Sequence, residues 1–230
     1  SCSLSTCYAS HTKFLTSSTT GAATPTAGKL DEEHLRGSLE IVENYVLRTC
    51  LVDNQTTRDA YKVMPHVLQA SQGAVPDLLT KALLRDNKTY RDTSDERLEG
   101  AILRLRMDTK LRRAWVKAAL LRIDSFHNAE VEYSDPSLEH VMPQTLEGAR
   151  QWSADVPAET PHLLGNLTIL HRSYNSDLGR ASYAEKQAEF ARSVVWLNRY
   201  FTDVPAWGEE EVHARSLALL TEFVKVVPHR

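Results

Sequence analysis

Between residues 139 and 175 the chain gathers an acid, imidazoles and amides that a packed core does not need: Glu139, His140, His162, Asn166, His171 and Asn175. Glu139 and His140 are adjacent, so on a strand they point to opposite faces unless the strand ends or bulges there. Pro143, three residues on, implies such an ending. Asn166 follows His140 by 26 residues, and Asn175 follows Asn166 by 9. Carboxylate and amide oxygens suit a hard divalent cation, and a neutral imidazole is a general base near pH 7. The joint spacing predicts a hard-cation site beside a general base. Each residue alone also fits a plainer role: His at a strand end as a surface or capped residue, Asn ahead of a helix as a cap or turn, Glu139 as a solvated side chain.

Elements able to position such a site are legible in the apolar pattern. From Asp31 to about Asp124 the chain reads as helical, with Leu35, Leu39, Val42 and Val46 on one stripe. Pro76 suits the first turn of a helix through Leu84, and Thr93-Ser94-Asp95-Glu96 predicts a cap for a helix through Ile102 and Leu105. Asp108-Thr109 reads as an interruption, with Asp108 placed to cap a helix through Trp115 to Ile123. Around residue 130 the pattern changes. Val131-Glu132-Tyr133, Ser137 to Val141 and Asn166 to Leu170 are β-compatible pieces forming one small hairpin. Helix resumes with Tyr183, Gln187, Phe190, Val194, Leu197 and Phe201 on one face, and Glu209-Glu210-Glu211 opens a last helix with core positions Val212, Ser216, Leu219, Leu220, Phe223 and Val227.

In order, Glu139-His140-Val141-Met142-Pro143-Gln144, Gly165-Asn166-Leu167-Thr168-Ile169-Leu170 and Asn175 resemble the ββα-metal site of HNH (His-Me finger) nucleases. With Tyr183 and Lys186 after the last Asn, and a Trp207…Arg215 ending, the pattern is similar to the C-terminal nuclease domain of GmrSD-type restriction endonucleases. That group includes SspE-like phosphorothioation-linked anti-phage defence proteins. Val42-Glu43-Asn44-Tyr45-Val46-Leu47-Arg48 and Leu120-Leu121-Arg122-Ile123-Asp124 sit where the family keeps similar segments. The resemblance spans roughly residues 35–225 and is sharpest over 137–186.

The resemblance implies a mainly α protein: a helical domain with an embedded small ββα-metal motif. Composition and apolar pattern set off 1–30 as a Ser/Thr-rich linker or arm and 31–128 as a helical subdomain, and the resemblance implies 129–230 as an HNH-like ββα nuclease subdomain with C-terminal helices. His140 would take a proton from the attacking water. Glu139 and Asn175 would supply oxygen ligands to one Mg²⁺ or Mn²⁺, which would stabilise charge on the phosphate and the leaving 3′-oxygen. Asn166 would hold the loop carrying His140 through a hydrogen bond to backbone, and Lys186 would contact a phosphate. The implied activity is nicking of DNA in anti-phage restriction, under an N-terminal nucleotide-hydrolysing sensor domain of the same longer chain. Glu139 departs from the Asp or His of many HNH sites, though the GmrSD-like branch accepts Glu. No cysteine follows Cys50, so a Cys₄ zinc site knitting the hairpin is not expected and helices must brace it.

Composition bounds these expectations. The chain has 230 residues, 27 Lys+Arg against 30 Asp+Glu, and a formal charge of −3, which argues against binding nucleic acid by bulk charge but not against a local basic surface. Seven basic residues and one acid lie between Arg104 and Arg122. With a break at Asp108, Lys110, Arg113 and Lys117 are expected on one helix face, either as a phosphate-tracking rim extended by His171, Arg172 and Arg180 or as a solvated face. Residues 1–30 hold thirteen Ser or Thr and no acid. The start at Ser1 rather than Met is expected of a piece cut from something longer. No secretory signal, membrane-length apolar run or Gly-rich phosphate loop is present, and three cysteines make no disulfide scaffold; a cytoplasmic location is expected. Two other readings stay open: a catalytically degenerate helical DNA-binding or interaction module, and a zinc hydrolase using His140, His162 and His171.

Overall fold

Glu32 and Glu33 put negative charge at the positive end of the first helix, α1 (Glu32–Val52), and its second half is continuously buried from Asn44 to Val52. The predicted stripe begins too early: Leu35 is exposed, and continuous burial starts only at Asn44. A computed structural model of the chain describes residues 31–52, 74–85, 93–110, 112–133, 135–152, 155–171, 178 and 181–229. The arm expected over 1–30, and Arg172, Asn175 and Arg180, lie outside the described residues.

The architecture is mainly helical with one two-stranded antiparallel sheet. After α1 come α2 (Val75–Leu79), opened by Pro76 and continued by π-type turns over Thr80–Arg85, and α3 (Asp95–Ile102), whose N-cap Ser94 accepts a hydrogen bond from the Arg97 amide. The chain then breaks at 103–112, and α4 (Arg113–His127) follows. Asp108 does not cap α4: the N-cap is Arg112, whose guanidinium donates to the carbonyls of Cys50 and Arg106 rather than capping the helix, and the Asp108 carboxylate is buried elsewhere. Strand β1 (Pro136–His140) pairs with β2 (Leu167–His171), His140 opposite Leu167 and Pro136 opposite His171. Between them run α5 (Leu146–Arg150) and 3₁₀ turns Thr160–His162 and Leu164–Asn166. Helix α6 (Tyr183–Arg192), a 3₁₀ helix (Trp196–Asp203) and α7 (Glu209–Val226) complete the chain.

Two further local expectations fail for identifiable reasons. Val131–Tyr133 form no strand; Tyr133 instead turns its hydroxyl onto the buried carboxylate of Asp124. The helix predicted through Phe201 stops at Ser193, leaving Val194 exposed. Ser193 Oγ accepts from the Val195 amide at 3.1 Å, so the side chain offers the backbone an alternative to the helix.

The main core joins Leu47 and Leu51 of α1, Leu98 and Ile102 of α3, Val116, Leu120 and Ile123 of α4, Ile169 of β2 and Leu219 and Phe223 of α7. It runs across residue 128, so the early helices and the hairpin share one apolar interior. Arg48, fully buried, ties the two halves by donating to the carbonyls of Thr93 at 2.6 Å and Val227 at 2.7 Å and by pairing with Asp95. A second cluster, with Val141, Met142, Leu170, Phe190, Phe201, Trp207 and Val212, lies under the end of β1.

Candidate active site

Asn166 closes the 3₁₀ turn just ahead of β2 and is fully buried. Its Oδ1 accepts from the Met142 amide at 2.7 Å and from Trp207 Nε1 at 3.0 Å. Its Nδ2 donates to the carbonyls of Met142 at 3.0 Å and Pro161 at 2.8 Å. An amide side chain has two donor hydrogens and two acceptor lone pairs, and all four are used here. The segment leaving His140 is thus tied to the turn at 160–162 and to the start of α7 by one side chain.

Gly165, beside it, lies against α7, where a Cβ would stand 1.9 Å from the Val212 carbonyl oxygen. Its amide donates to Ser216 Oγ at 2.9 Å. Arg215, also in α7 and fully buried, donates to the carbonyls of Gly165 at 2.6 Å and Leu167 at 2.7 Å, with its guanidinium 4.5 Å from the Phe201 ring centroid. Burial pushes the Arg215 pKa down to about 9. Helix α7 therefore braces the entrance to β2.

Glu139 and His140 point to opposite sides. On one side, the Glu139 carboxylate meets Lys186 of α6: Nζ donates to Oε1 at 2.6 Å and to the His140 carbonyl at 2.7 Å. Lys186 is only 1% exposed, so its ammonium stands inside the protein rather than at a phosphate-facing rim. Burial raises the Glu139 pKa, against the pull of the Lys186 ammonium. A hydrogen bond from the His140 backbone amide to the same carboxylate also opposes that rise.

On the other side, His140 is buried and its ring meets Asp108 and His162. Burial lowers its pKa to about 4; the Asp108 carboxylate works against that shift, and His162, Arg113 and Lys186 add to it. The imidazole is therefore neutral at pH 7, with a free lone pair. Asp108 was expected as a helix cap, and no local signal marks it as a neighbour of a histidine 32 residues away.

Over residues 84–222 the sequence matches the family described as GmrSD restriction endonucleases, C-terminal domain. The chain belongs to this family. Neither the curated proteins nor the solved structures include a match to it. The matched GmrSD region contains α3 to α6, the whole hairpin and most of α7, and so includes every contact described around His140 and Asn166.

The cations expected along the DNA side of this GmrSD domain are arranged differently from the expectation. Lys110 is exposed but precedes α4, so it shares no helix face with Arg113 and Lys117, which stand one turn apart on α4. Arg113 is exposed, and its Nε donates to the Asp108 carbonyl at 2.8 Å. His171 occupies the end of β2 opposite Pro136, four ladder positions from His140. Among the described residues, the side chains gathered around His140 are those of His162 and Asp108.

Proposed function

We propose that this domain is a metal-dependent DNA endonuclease of the HNH type that nicks one strand per event, acting in bacterial anti-phage restriction. Family membership supports nuclease chemistry of the restriction class, with DNA as the substrate. The observation that carries the finer reading is the buried, neutral His140 imidazole at the end of β1, with the following backbone held by all four hydrogen bonds of Asn166. The chain order of two antiparallel strands and a helix, with Lys186 of that helix reaching back to Glu139, supports the ββα assignment.

His140 takes a proton from water as the water oxygen attacks phosphorus and the P–O3′ bond breaks. Asn166 is a positioning residue, since it fixes the backbone after His140 and touches no reacting atom. Lys186 holds the Glu-His dipeptide in place by bonding the side chain of one and the carbonyl of the other. Glu139, with Asn175, would hold one Mg²⁺ or Mn²⁺; when bound, such an ion would neutralise charge developing on the phosphoryl oxygens. The exposed Arg113 and Lys110 and the half-buried Lys117 supply phosphate contacts, joined by His171, Arg172 and Arg180. A location in the cytoplasm and control by a nucleotide-hydrolysing sensor segment complete the proposal. No helix among the described residues is long and apolar enough to cross a membrane.

Supercoiled plasmid incubated with Mg²⁺ or Mn²⁺ tests the reading. Wild-type protein is expected to yield open circles, and His140→Ala to lose at least about 100-fold in rate. Equal nicking by His140→Ala removes the general-base role.

A further inference from the structure

Three buried polar atoms near the hairpin make no hydrogen bond among the described residues: Asp108 Oδ1, His140 Nε2 and His162 Nδ1. Buried groups of this kind are paired in nearly all native proteins, and three orphans in one place call for a common partner. One ligand atom from each of these residues lies within 4.8 Å of the other two. His162 Nδ1 stands 2.6 Å from Asp108 Oδ2 yet at an angle that makes no hydrogen bond. Arg106 Nε is 3.5 Å from Asp108 Oδ1 and belongs to a half-exposed side chain.

The three side chains come from separate segments that the backbone locks together. The Met107 amide donates to the His162 carbonyl at 2.8 Å, tying the Asp108 loop to the 160–162 turn. Asn166 ties that turn, through the Pro161 carbonyl, to Met142, two residues after His140. The set is thus held in place before any ligand arrives, as a metal site requires.

We infer that Asp108, His140 and His162 form a binding site for a borderline divalent cation of the Zn²⁺ class, separate from the oxygen ligands proposed for Mg²⁺. Two imidazoles and one carboxylate select Zn²⁺, Co²⁺ or Ni²⁺ over Mg²⁺. Ligands around a tetrahedral Zn²⁺ at about 2.1 Å sit roughly 3.4 Å apart, so small side-chain adjustments bring these three into range. Arg106 and Arg113 at the edge oppose a dication and keep the affinity below that of structural zinc sites. The consequence for activity rests on the nuclease reading: an ion held by His140 occupies the lone pair that the base needs, so Zn²⁺ silences Mg²⁺-dependent nicking.

Titration of the metal-free 230-residue chain with Co²⁺, followed by its visible ligand-field absorption and by calorimetry with Zn²⁺, reads the site without any nuclease assay. One ion per chain is expected. Asp108→Asn, His162→Ala and His140→Ala are each expected to weaken binding on the order of 100-fold, while Asn175→Ala leaves it unchanged, with far-UV circular dichroism confirming that each variant folds. Absence of the Co²⁺ signal in wild-type protein, or its survival in both His162→Ala and His140→Ala, overturns the site. A chain that binds Co²⁺ through these residues but never nicks plasmid refutes the nuclease reading and leaves the site standing. Acceleration of nicking by Zn²⁺ overturns the silencing role.

Discussion

Lys186 shows how much one side chain sets at this site. It is a long cation at 1% exposure, bonded to a buried carboxylate and to the backbone carbonyl of the next residue. Removing it strands Glu139 inside the protein without its partner, so Lys186→Met is expected to destabilise folding by about 3 kcal/mol or more, read as a lower urea midpoint. His140 makes the complementary case. Its folded pKa of about 4 lies below the roughly 6.5 of an unfolded histidine, so the unfolded chain binds more protons between those values. Stability from this group is full above about pH 6.5 and falls as the pH drops through the window, by on the order of 3 kcal/mol at pH 4. Urea titrations in chelator from pH 7 to 4 should show that fall in wild type, and a smaller one in His140→Gln.

At the scale of elements, the hairpin is held from outside by α6 and α7. Gly165 is the point of closest approach, and the atom a Cβ would strike is a backbone oxygen of α7, which cannot rotate away. Gly165→Ala is therefore expected to cost at least about 2 kcal/mol of stability and to lower the melting temperature measured by circular dichroism. Ser216→Ala, which removes the bond accepted from the Gly165 amide and the one donated to the Val212 carbonyl, should cost about 1 kcal/mol. Both strands were legible from short β-compatible runs stopped by Pro143 and entered through Gly165. Their bracing was not, because Arg215 reaches the Gly165 and Leu167 carbonyls across 50 and 48 residues, and no local pattern encodes such a contact. The break at Ser193 escaped for the opposite reason: apolar spacing through Phe201 is helical, but a serine side chain satisfies the backbone there and turns it.

At the scale of the whole molecule, a formal charge of −3 means that DNA must be held by a local surface. Arg113 and Lys117 lie on one helix, within the segment between Arg104 and Arg122 where basic residues outnumber acids seven to one. If they contact phosphates, Arg113→Ala and Lys117→Ala should each lower the slope of log K against log salt by about 1, in fluorescence anisotropy with a short duplex. Unchanged slopes would remove both residues from the DNA surface. What the amino-acid order by itself determined is the run of helices, the position of the hairpin and the ordered Glu-His, Asn and Asn motif, because helical and strand periods and turn residues act over a few positions. Only the tertiary structure decided that Lys186 is interior, that Asp108 leaves its expected cap to stand beside His140 and His162, and that one core joins the early helices to the hairpin. Those outcomes depend on which distant surfaces bury one another, and burial is set by the packing of the entire chain rather than by any segment of it.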